Sequence, residues 1–554
     1  MIFVRKFNTT FGAIFYFSKM RYKYKNKHFK HMNKLLQLGF LLTGFCAFSQ
    51  NGGLDPTFGT GGKVITSINS GADKAHGVAL QQDGKIVVAG YTYSSVFGED
   101  FACVRYNADG SLDTTFGTNG KVSFDLQGGS DDRAYSMDLQ MDGKIVIAGY
   151  SDNGSDRAGA VIRLNTNGTL DTTFGTGGKA FTNFTIYNTA ARADEFRVVK
   201  VHHVTGNIVV GGTSVLNTNE SRGIFARYTA SGILDTTFGN NGRLIDLPFP
   251  ESNSNGFTFC IEDLALKSNG KITAVGWSDV PGNGSMQYSR QYVCRLNSNG
   301  TLDTTFSSDG FASNSFTTSD NKTNAMFLKP DDSFLFSGSS RWSSTDYKYY
   351  YGTVTASGTV ALQGSIDFSP GTIDMCYDMG MDSNAKIILA GSAIDATTTT
   401  ATSKFALTRL NTDYSIDTIF GTSGKVTTDF GTNTYSESLA MAIQSDDKII
   451  LVGYTGNDFA VARYIGNGTS LSTDGFKQNK SIVVYPNPVV DQLTIDTKNN
   501  ELITGTAYQV YDSNGRIVIN GKITNESTTV AVDNLAAGIY LLKVNQTTVK
   551  FVKK

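Results

Sequence analysis

A chain of 554 residues with 5 cysteines, 5 histidines and 2 tryptophans is poor in the side chains that build thiol chemistry and metal clusters. Proline is scarce too, at 8 against 59 glycines, and 18% of the residues are charged, which excludes a Pro-rich disordered chain and fits short strands joined by glycine turns. Neither sign of charge dominates: 48 Lys and Arg against 49 Asp and Glu give a net charge of -1. No basic field therefore draws the chain to nucleic acid or anionic lipid. No long apolar stripe of 3.6-residue period follows residue 50, so helices are not expected there. Beyond the leader the cysteines are Cys103, Cys260, Cys294 and Cys376, with no C-x-x-C pair and no adjacent histidine cluster. Buried free thiols are expected, and Cys260 with Cys294 is the one pairing to test for a disulfide.

The histidines give no catalytic set. His28 and His31 precede the mature chain, and His202-His203 are expected on a strand, where neighbours face opposite ways and chelate poorly. There is no H-E-x-x-H and no G-x-S-x-G, and no Gly-Lys is followed by Ser or Thr, so Gly59 to Lys63 is not a phosphate loop. No catalytic residue is assigned and the chain reads as a non-enzyme.

Residues 1–49 read as a leader. An apolar run, Leu35 to Phe45, follows Asn33-Lys34 and ends in the small-x-small signal Ala47-Phe48-Ser49 before Gln50. The run is too short to span a membrane as a stable helix. The long basic stretch through Lys23, Lys25, Lys27 and Lys30 points to a signal peptide over 32–49 with translation starting at Met32, Met1 being the alternative. Cys46 follows Phe45 rather than a small residue, which speaks against a lipid anchor.

What the sequence has in abundance is one unit, repeated. An apolar strand ending in glycine recurs seven times, closing at Gly90, Gly149, Gly212, Gly276, Gly338, Gly391 and Gly453. In copy 1 a strand through Val78-Ala79-Leu80 meets the turn Asp83-Gly84 and then the apolar strand Ile86 to Gly90. A third strand, Phe101 to Tyr106, the turn Asp109-Gly110, the run Leu112 to Gly117 and a fourth strand from Lys121-Val122 follow. Asp-Gly between apolar runs is a hairpin signal, because the turn needs positive φ. The second strand does not alternate, so both its faces are buried and the sheets stack radially. A spare fourth strand, Leu54 to Gly59 with Lys63-Val64-Ile65, precedes copy 1, while copy 7 ends at Arg463-Tyr464 without one. The expected fold is all-β: a seven-bladed β-propeller over residues 50–478, closed by this N-terminal strand, with a small β-sandwich over 479–554.

An arginine stands eight residues before an aspartate in Arg105/Asp113, Arg163/Asp171, Arg227/Asp235, Arg295/Asp303 and Arg409/Asp417. Copy 5 has Thr353 and Ala361 instead. Copy 7 has Arg463 but Leu471, so closure predicts Asp55 as the partner of Arg463, in bidentate, structural ion pairs.

The run Leu112 to Gly117 and the strand Asp142 to Gly149 resemble the delta-60 repeat family of secreted bacterial proteins, over roughly residues 54 to 476. That resemblance implies a propeller-like repeat and no particular reaction. Past Lys480 the segment containing Tyr485-Pro486-Asn487-Pro488, Gly515, Leu535, Gly538, Tyr540 and the basic end resembles the type A C-terminal sorting domain of the type IX secretion system. This implies the secretion machinery as a partner, and a product that is secreted or anchored at the outer surface of a Gram-negative cell, with no transmembrane segment in the mature chain.

Two candidate sites stand out. Twelve residues before the lysine position of the apolar strand lie Asp73, Asp132, Glu195, Phe259, Asn321, Asp374 and Ser436, the last beside Glu437. The acids could hold a hard cation such as Ca²⁺ or cap backbone amides between copies. Trp277 and Trp342 follow the apolar strand in adjacent copies, with Tyr288 and Tyr347 in the same loops. They form either a platform for sugar or protein, or ordinary packing. The reading is a secreted or surface non-catalytic propeller that binds a glycan or protein, adhesion being one use. Its rivals are a polysaccharide hydrolase or lyase at the channel mouth, which needs carboxylates about 5–9.5 Å apart, and a structural envelope protein.

Overall fold

A computed structural model describes residues 51–467 and 482–554, apart from 97, 130, 185–192, 218–219, 246–257, 282–286, 315–319, 344–345, 370, 396–401, 432–434, 498–504, 513–516, 526 and 545–546. The leader, Leu471 and Gly515 lie outside the described residues. Two compact units divide the chain, Met1–Gly468 and Thr469–Lys554. All regular structure described in either unit is β-strand, and none is helix.

In the first unit every copy follows one plan. Copy 1 pairs Asp73–Leu80, Ile86–Ser94, Gly98–Tyr106 and Lys121–Phe124, each antiparallel to the next. No sheet closes on itself; copies 2 and 3, and copies 5 and 6, are each linked by a single parallel pairing, Ala193 to Arg157 and Tyr347 to Ile373. Seven consecutive positions of the second strand, Ile86 to Thr92, are buried, as its unbroken apolar run requires. The turn before it puts Gly84 at φ 82°. Copies 5, 6 and 7 lack glycine there and hold Asp332, Ala385 and Asp447 at φ 68°, 58° and 62°.

The closing glycines have a steric origin. A Cβ on Gly90 would run into the carbonyl of Lys74, and the other six meet the equivalent carbonyl of their own first strand. At this point each first strand carries a bulge: the pairing register slips between Ala75 and Gly77, leaving His76 unpaired, and the same slip recurs in all the copies. An extra residue in one strand presses its backbone against the partner, and only a residue without a side chain tolerates that approach.

The chain's first strand joins its last copy. Lys63–Thr66 runs antiparallel to Asp458–Tyr464 with Val64 opposite Val461, and Asp55 N donates to Arg463 O at 2.8 Å. Phe58 is fully buried in one cluster with Ala75, Val88 and Val104 of copy 1 and Ile450, Val452 and Phe459 of copy 7. Asp73 N also donates to Asn457 O at 2.7 Å.

The repeat arginines reach their aspartates through Nε, at 2.7 Å in Arg105–Asp113, Arg163–Asp171 and Arg295–Asp303, 2.8 Å in Arg409–Asp417, and 2.9 Å in Arg227–Asp235 and Arg463–Asp55. The expected bidentate geometry is not adopted. One carboxylate oxygen takes Nε, while in five of the six pairs the other accepts the amide and hydroxyl of the threonine two residues on, as Asp55 does from Thr57. Asp417 has Ile419 there instead, and its Nε-bound oxygen also accepts from Lys386 Nζ at 2.6 Å. The freed Nη1 crosses to a carbonyl of the following copy, such as Ala356 O at 2.8 Å from Arg295, or Ala108 O from Arg463. Each guanidinium also stacks on a buried phenylalanine, Phe116 lying 4.6 Å from Arg105 and Phe58 4.6 Å from Arg463. In copy 5 Thr353 simply faces Ala361 across the ladder. Cys103, Cys260, Cys294 and Cys376 are free and buried, so the Cys260–Cys294 pairing is not made.

The second unit has a three-stranded sheet, Val483–Tyr485, Gln492–Asp496 and Ser527–Ala531, and a four-stranded one ordered Ile517–Lys522, Ala507–Tyr511, Gly538–Val544 and Thr547–Lys553. Their inner faces share a core that includes Val484, Leu493, Val510, Tyr540 and Phe551. Asn487 ties the Tyr485-Pro486-Asn487-Pro488 turn to the last strand: Oδ1 accepts from Val552 N at 2.9 Å and Nδ2 donates to Lys550 O at 3.1 Å. Gly538 pairs with Lys553, Leu535 packs at the core's edge, and Tyr540 donates to Ala536 O at 2.9 Å.

Candidate functional site

A bulge turns its extra residue out of the ladder, and here all the extra residues reach one cavity. His76, Tyr135, Arg197, Glu262, Asn324, Tyr377 and Leu439, one per copy, line a cavity of about 520 Å³ with residues next to them on the first strands. A volume of this size suits a small ligand or a side chain of a larger one.

The wall of the cavity is charged and tied together. Asp138, Asp263 and Asp378, from alternate copies, accept the amides of Val201, Met326 and Met441 on the next first strand at 2.7, 2.9 and 2.7 Å. Lys200 faces all three: burial works against its charge, but Asp263, Asp138 and Asp378 outweigh it and hold the ammonium above its ordinary range. Burial and the neighbouring Asp263 push Asp378 up to about 7.

Cations lie on aromatic rings of the first and second strands. Arg197 sits 4.5 Å from the centre of Tyr135, Arg133 5.2 Å from Tyr91, Lys322 4.1 Å from Trp277 and Lys74 4.6 Å from Tyr454. In all four the cation belongs to the copy after the ring, so each contact bridges copies, including 7 to 1. Glu195 pairs with Arg157 at 2.6 Å and Arg197 at 2.8 Å, and Glu262 accepts from Trp277 Nε1 at 3.0 Å. Two buried nitrogens on the bulge residues stay unsatisfied, His76 Nε2 and Arg197 Nε. Burial, with Arg197, Lys74 and Arg133 nearby, lowers His76 to about 3, so the ring is neutral at pH 7.

The candidate acids fall elsewhere. Asp73 accepts Ile68 N at 2.6 Å and the Thr92 hydroxyl, Asp132 accepts Leu126 N at 2.6 Å, and Asp374 accepts Phe368 N at 2.7 Å. In copy 3 the equivalent is Asp194, which accepts Phe184 N at 2.8 Å, and not Glu195. The turn His202 to Asn207 is one residue longer than its counterparts, so counting back from the apolar strand lands one place late. These carboxylates cap the connection that enters each first strand. Glu437 accepts from the Tyr435 hydroxyl at 2.6 Å. His202 and His203 lie past the strand end at Val201; His202 is buried, with Nε2 3.0 Å from Lys267 O.

The aromatic candidates are not one platform. Trp277 is half-buried and hydrogen-bonded to the cavity-lining Glu262, whereas Trp342 is 57% exposed with Lys348 4.6 Å above it, and no contact joins the two among the described residues. Tyr347 carries Arg341 at 6.0 Å; the side chain of Tyr288 lies outside the described residues.

The bulge residues were missed in the sequence. Their signal was variation: ten residues before the apolar strand, eleven in copy 3, repetitive copies carry His, Tyr, Arg, Glu, Asn, Tyr and Leu.

Comparison with known proteins agrees with this architecture. The family model "Domain of unknown function (DUF5122) beta-propeller" matches residues 81–116, 140–174, 205–238, 267–306 and 444–469. The "Secretion system C-terminal sorting domain" model matches 483–554. No curated protein matches the chain. Solved structures similar to it include virginiamycin B lyase from Staphylococcus aureus, at 11% identity over 73% of this chain and 98% of that one, TM-score 0.39. Polysaccharide lyase Uly1 is similar at 10% identity over 73% and 92%, TM-score 0.42. PorZ, a surface component of the type IX secretion system of Porphyromonas gingivalis, is similar at 14% over 87% and 65%, TM-score 0.30. Likenesses this distant say nothing of what the chain binds. The sorting domain implies contact with the secretion machinery, and no described helix is long and apolar enough to cross a membrane. The chain combines DUF5122 β-propeller repeats with a type IX C-terminal sorting domain, and is a secreted or outer-surface-attached protein.

Proposed function

We propose that the first unit is a seven-bladed propeller sealed by its N-terminal strand, and that it is a non-catalytic binding protein which receives a glycan or protein ligand at the mouth of its channel. The pairing of Val64 with Val461 and the cavity lined by every copy support the ring. The observation that carries the binding reading is the set of bulge residues: a repeated backbone device aims chemically different side chains at one space. Varied donors and acceptors on a rigid ring suit recognition. The cap roles of Asp73, Asp132 and Asp374 weigh against a pair of catalytic acids among them.

A glycan array and a panel of surface-protein peptides probed with the full chain, and with Arg197→Ala and Tyr377→Ala, test this. Binding by the native chain that both substitutions weaken is expected. No binding, together with turnover on a polysaccharide panel, would replace the proposal with a lyase or hydrolase. One observation favours that second reading: a neutral His76 with a free nitrogen, stacked edge-on against Tyr135 at 5.2 Å.

A further inference from the structure

Asp100, Asp125 and Asp132 meet where copy 1 passes to copy 2, and each offers a carboxylate oxygen within 4.8 Å of the other two. Oxygens bound to one calcium ion at about 2.3–2.6 Å can lie up to about 5.2 Å apart, so the three fit one coordination shell. Asp125 is held by the amides of Gly128 at 2.6 Å and Gly129 at 3.0 Å, and Asp132 by Leu126 N at 2.6 Å. Asp100, 5% exposed, and Asp132, fully buried, each keep one oxygen, Oδ1, buried with no hydrogen-bond partner. The ammonium of Lys179 is committed to the carbonyls of Leu126 and Asp125 at 2.8 and 3.3 Å.

The other copies are an internal control. Asp125, Asp367 and Asp429 each stand seven residues before the cap position, at Asp132, Asp374 and Ser436. Asp100 occupies the third-strand position opposite Thr92, itself opposite Asp73. Through the same ladder, copy 5 has Lys348 there, opposite Ser340, and copy 6 has Lys404, opposite Ala393. Lys348 lies 3.2 Å from Asp367 and Lys404 3.6 Å from Asp429. Where the connection carries an aspartate, copies 5 and 6 supply an ammonium to meet it. Copy 1 supplies a third carboxylate.

We propose that a calcium ion bound by Asp100, Asp125 and Asp132 takes the place at this junction that the lysine ammonium holds in copies 5 and 6. Oxygen-only ligands with flexible spacing select Ca²⁺ over softer metals, and a secreted protein meets it at millimolar levels. Burial and the mutual repulsion of the acids push Asp100 up to about 7 and Asp132 up to about 6, the penalty a cation relieves.

The full chain, stripped with chelator, is titrated with Ca²⁺ by calorimetry and melted with and without it. Saturable binding with a Kd at or below about 10⁻³ M and a raised Tm are expected. Asp100→Asn should lose that binding. Asp100→Lys should lose it too, and should melt without regard to Ca²⁺ at a temperature near that of the calcium-loaded native chain. Absence of binding by the native chain, an Asp100→Asn variant that binds unchanged, or tighter binding of Mg²⁺ than of Ca²⁺ would overturn the proposal. Should the variants fail to fold, Mn²⁺ soaked into crystals of the native chain decides: an anomalous peak among the three carboxylates supports the site, and none there refutes it.

Discussion

Arg463 is the residue through which the two ends of the repeat array are joined, and Arg463→Met tests what that join is worth. Arg463 is 4% exposed, and its guanidinium donates through Nε to Asp55 at 2.9 Å, through Nη2 to Thr57 Oγ1 at 3.1 Å and through Nη1 to Ala108 O. Methionine keeps much of the apolar stem but leaves Asp55, 3% exposed, facing only the ammonium of Lys448 at 3.7 Å. Stranding one charge of a buried pair costs about 3–5 kcal/mol, and loss of the stack on Phe58 adds about 1 kcal/mol. Urea unfolding should therefore lose about 5 kcal/mol, a large share of the 5–15 kcal/mol typical of a domain. Arg105→Met removes the same chemistry from a pair eight residues apart rather than 408, and should cost about as much. The two variants should differ in what opens. Hydrogen exchange followed by mass spectrometry should show residues 54–66 losing protection in Arg463→Met and keeping it in Arg105→Met. The double variant Asp55→Leu/Arg463→Met should recover most of the loss, because no charge is left buried. A cost below about 1 kcal/mol, the worth of a surface pair, or equal protection of 54–66 in both variants, would refute the reasoning.

Two further outcomes follow from the same structure. Burial, with like charges beside each, raises the pKa of Asp100, Asp374 and Asp378 to about 7 and of Asp132 to about 6; each of these four acids stabilises fully below 3.8 and loses that contribution as pH rises through its folded value. Asp113, Asp171 and Asp303 go the other way: their hydrogen bonds and cations outweigh burial, so their contribution is present above 3.8 and lost in stronger acid. His76, lowered to about 3, opposes the four acids below pH 6.5. In chelator the urea midpoint should therefore rise from pH 7 to about pH 5 and fall again below about pH 3.5; a midpoint that falls steadily from pH 7 would contradict this. Ala385 sits exposed at φ 58° where copies 1 to 4 place glycine, so Ala385→Gly should stabilise by about 1 kcal/mol, and a loss of stability on thermal melting would show the turn to be unstrained.

Periodicity made the architecture legible. The closing glycines, the unbroken apolar strands and the unpaired strand before copy 1 each follow from one local rule, and Val64 lies opposite Val461 as those rules require. The site was less legible, because bulges leave no compositional mark. His76, Tyr135 and Arg197 lie among alternating residues and read as ordinary strand positions until the ladder slips. Glu195 shows the related hazard: one additional residue in the turn His202 to Asn207 moved the count, and Asp194 does the work of the cap. The arginines were placed correctly beside their aspartates, but not their second contact, since a carbonyl some sixty residues away, such as Ala356 O from Arg295, has no signature in a repeat.

With Lys63–Thr66 laid against Asp458–Tyr464, both termini of the repeat array leave from a single sheet. A load between a tethered C-terminal end and the leader end would shear that one ladder and bypass the other copies. A load between any other copy and the C-terminal end would instead cross the contacts between successive copies, so mechanical resistance depends on which two points are pulled.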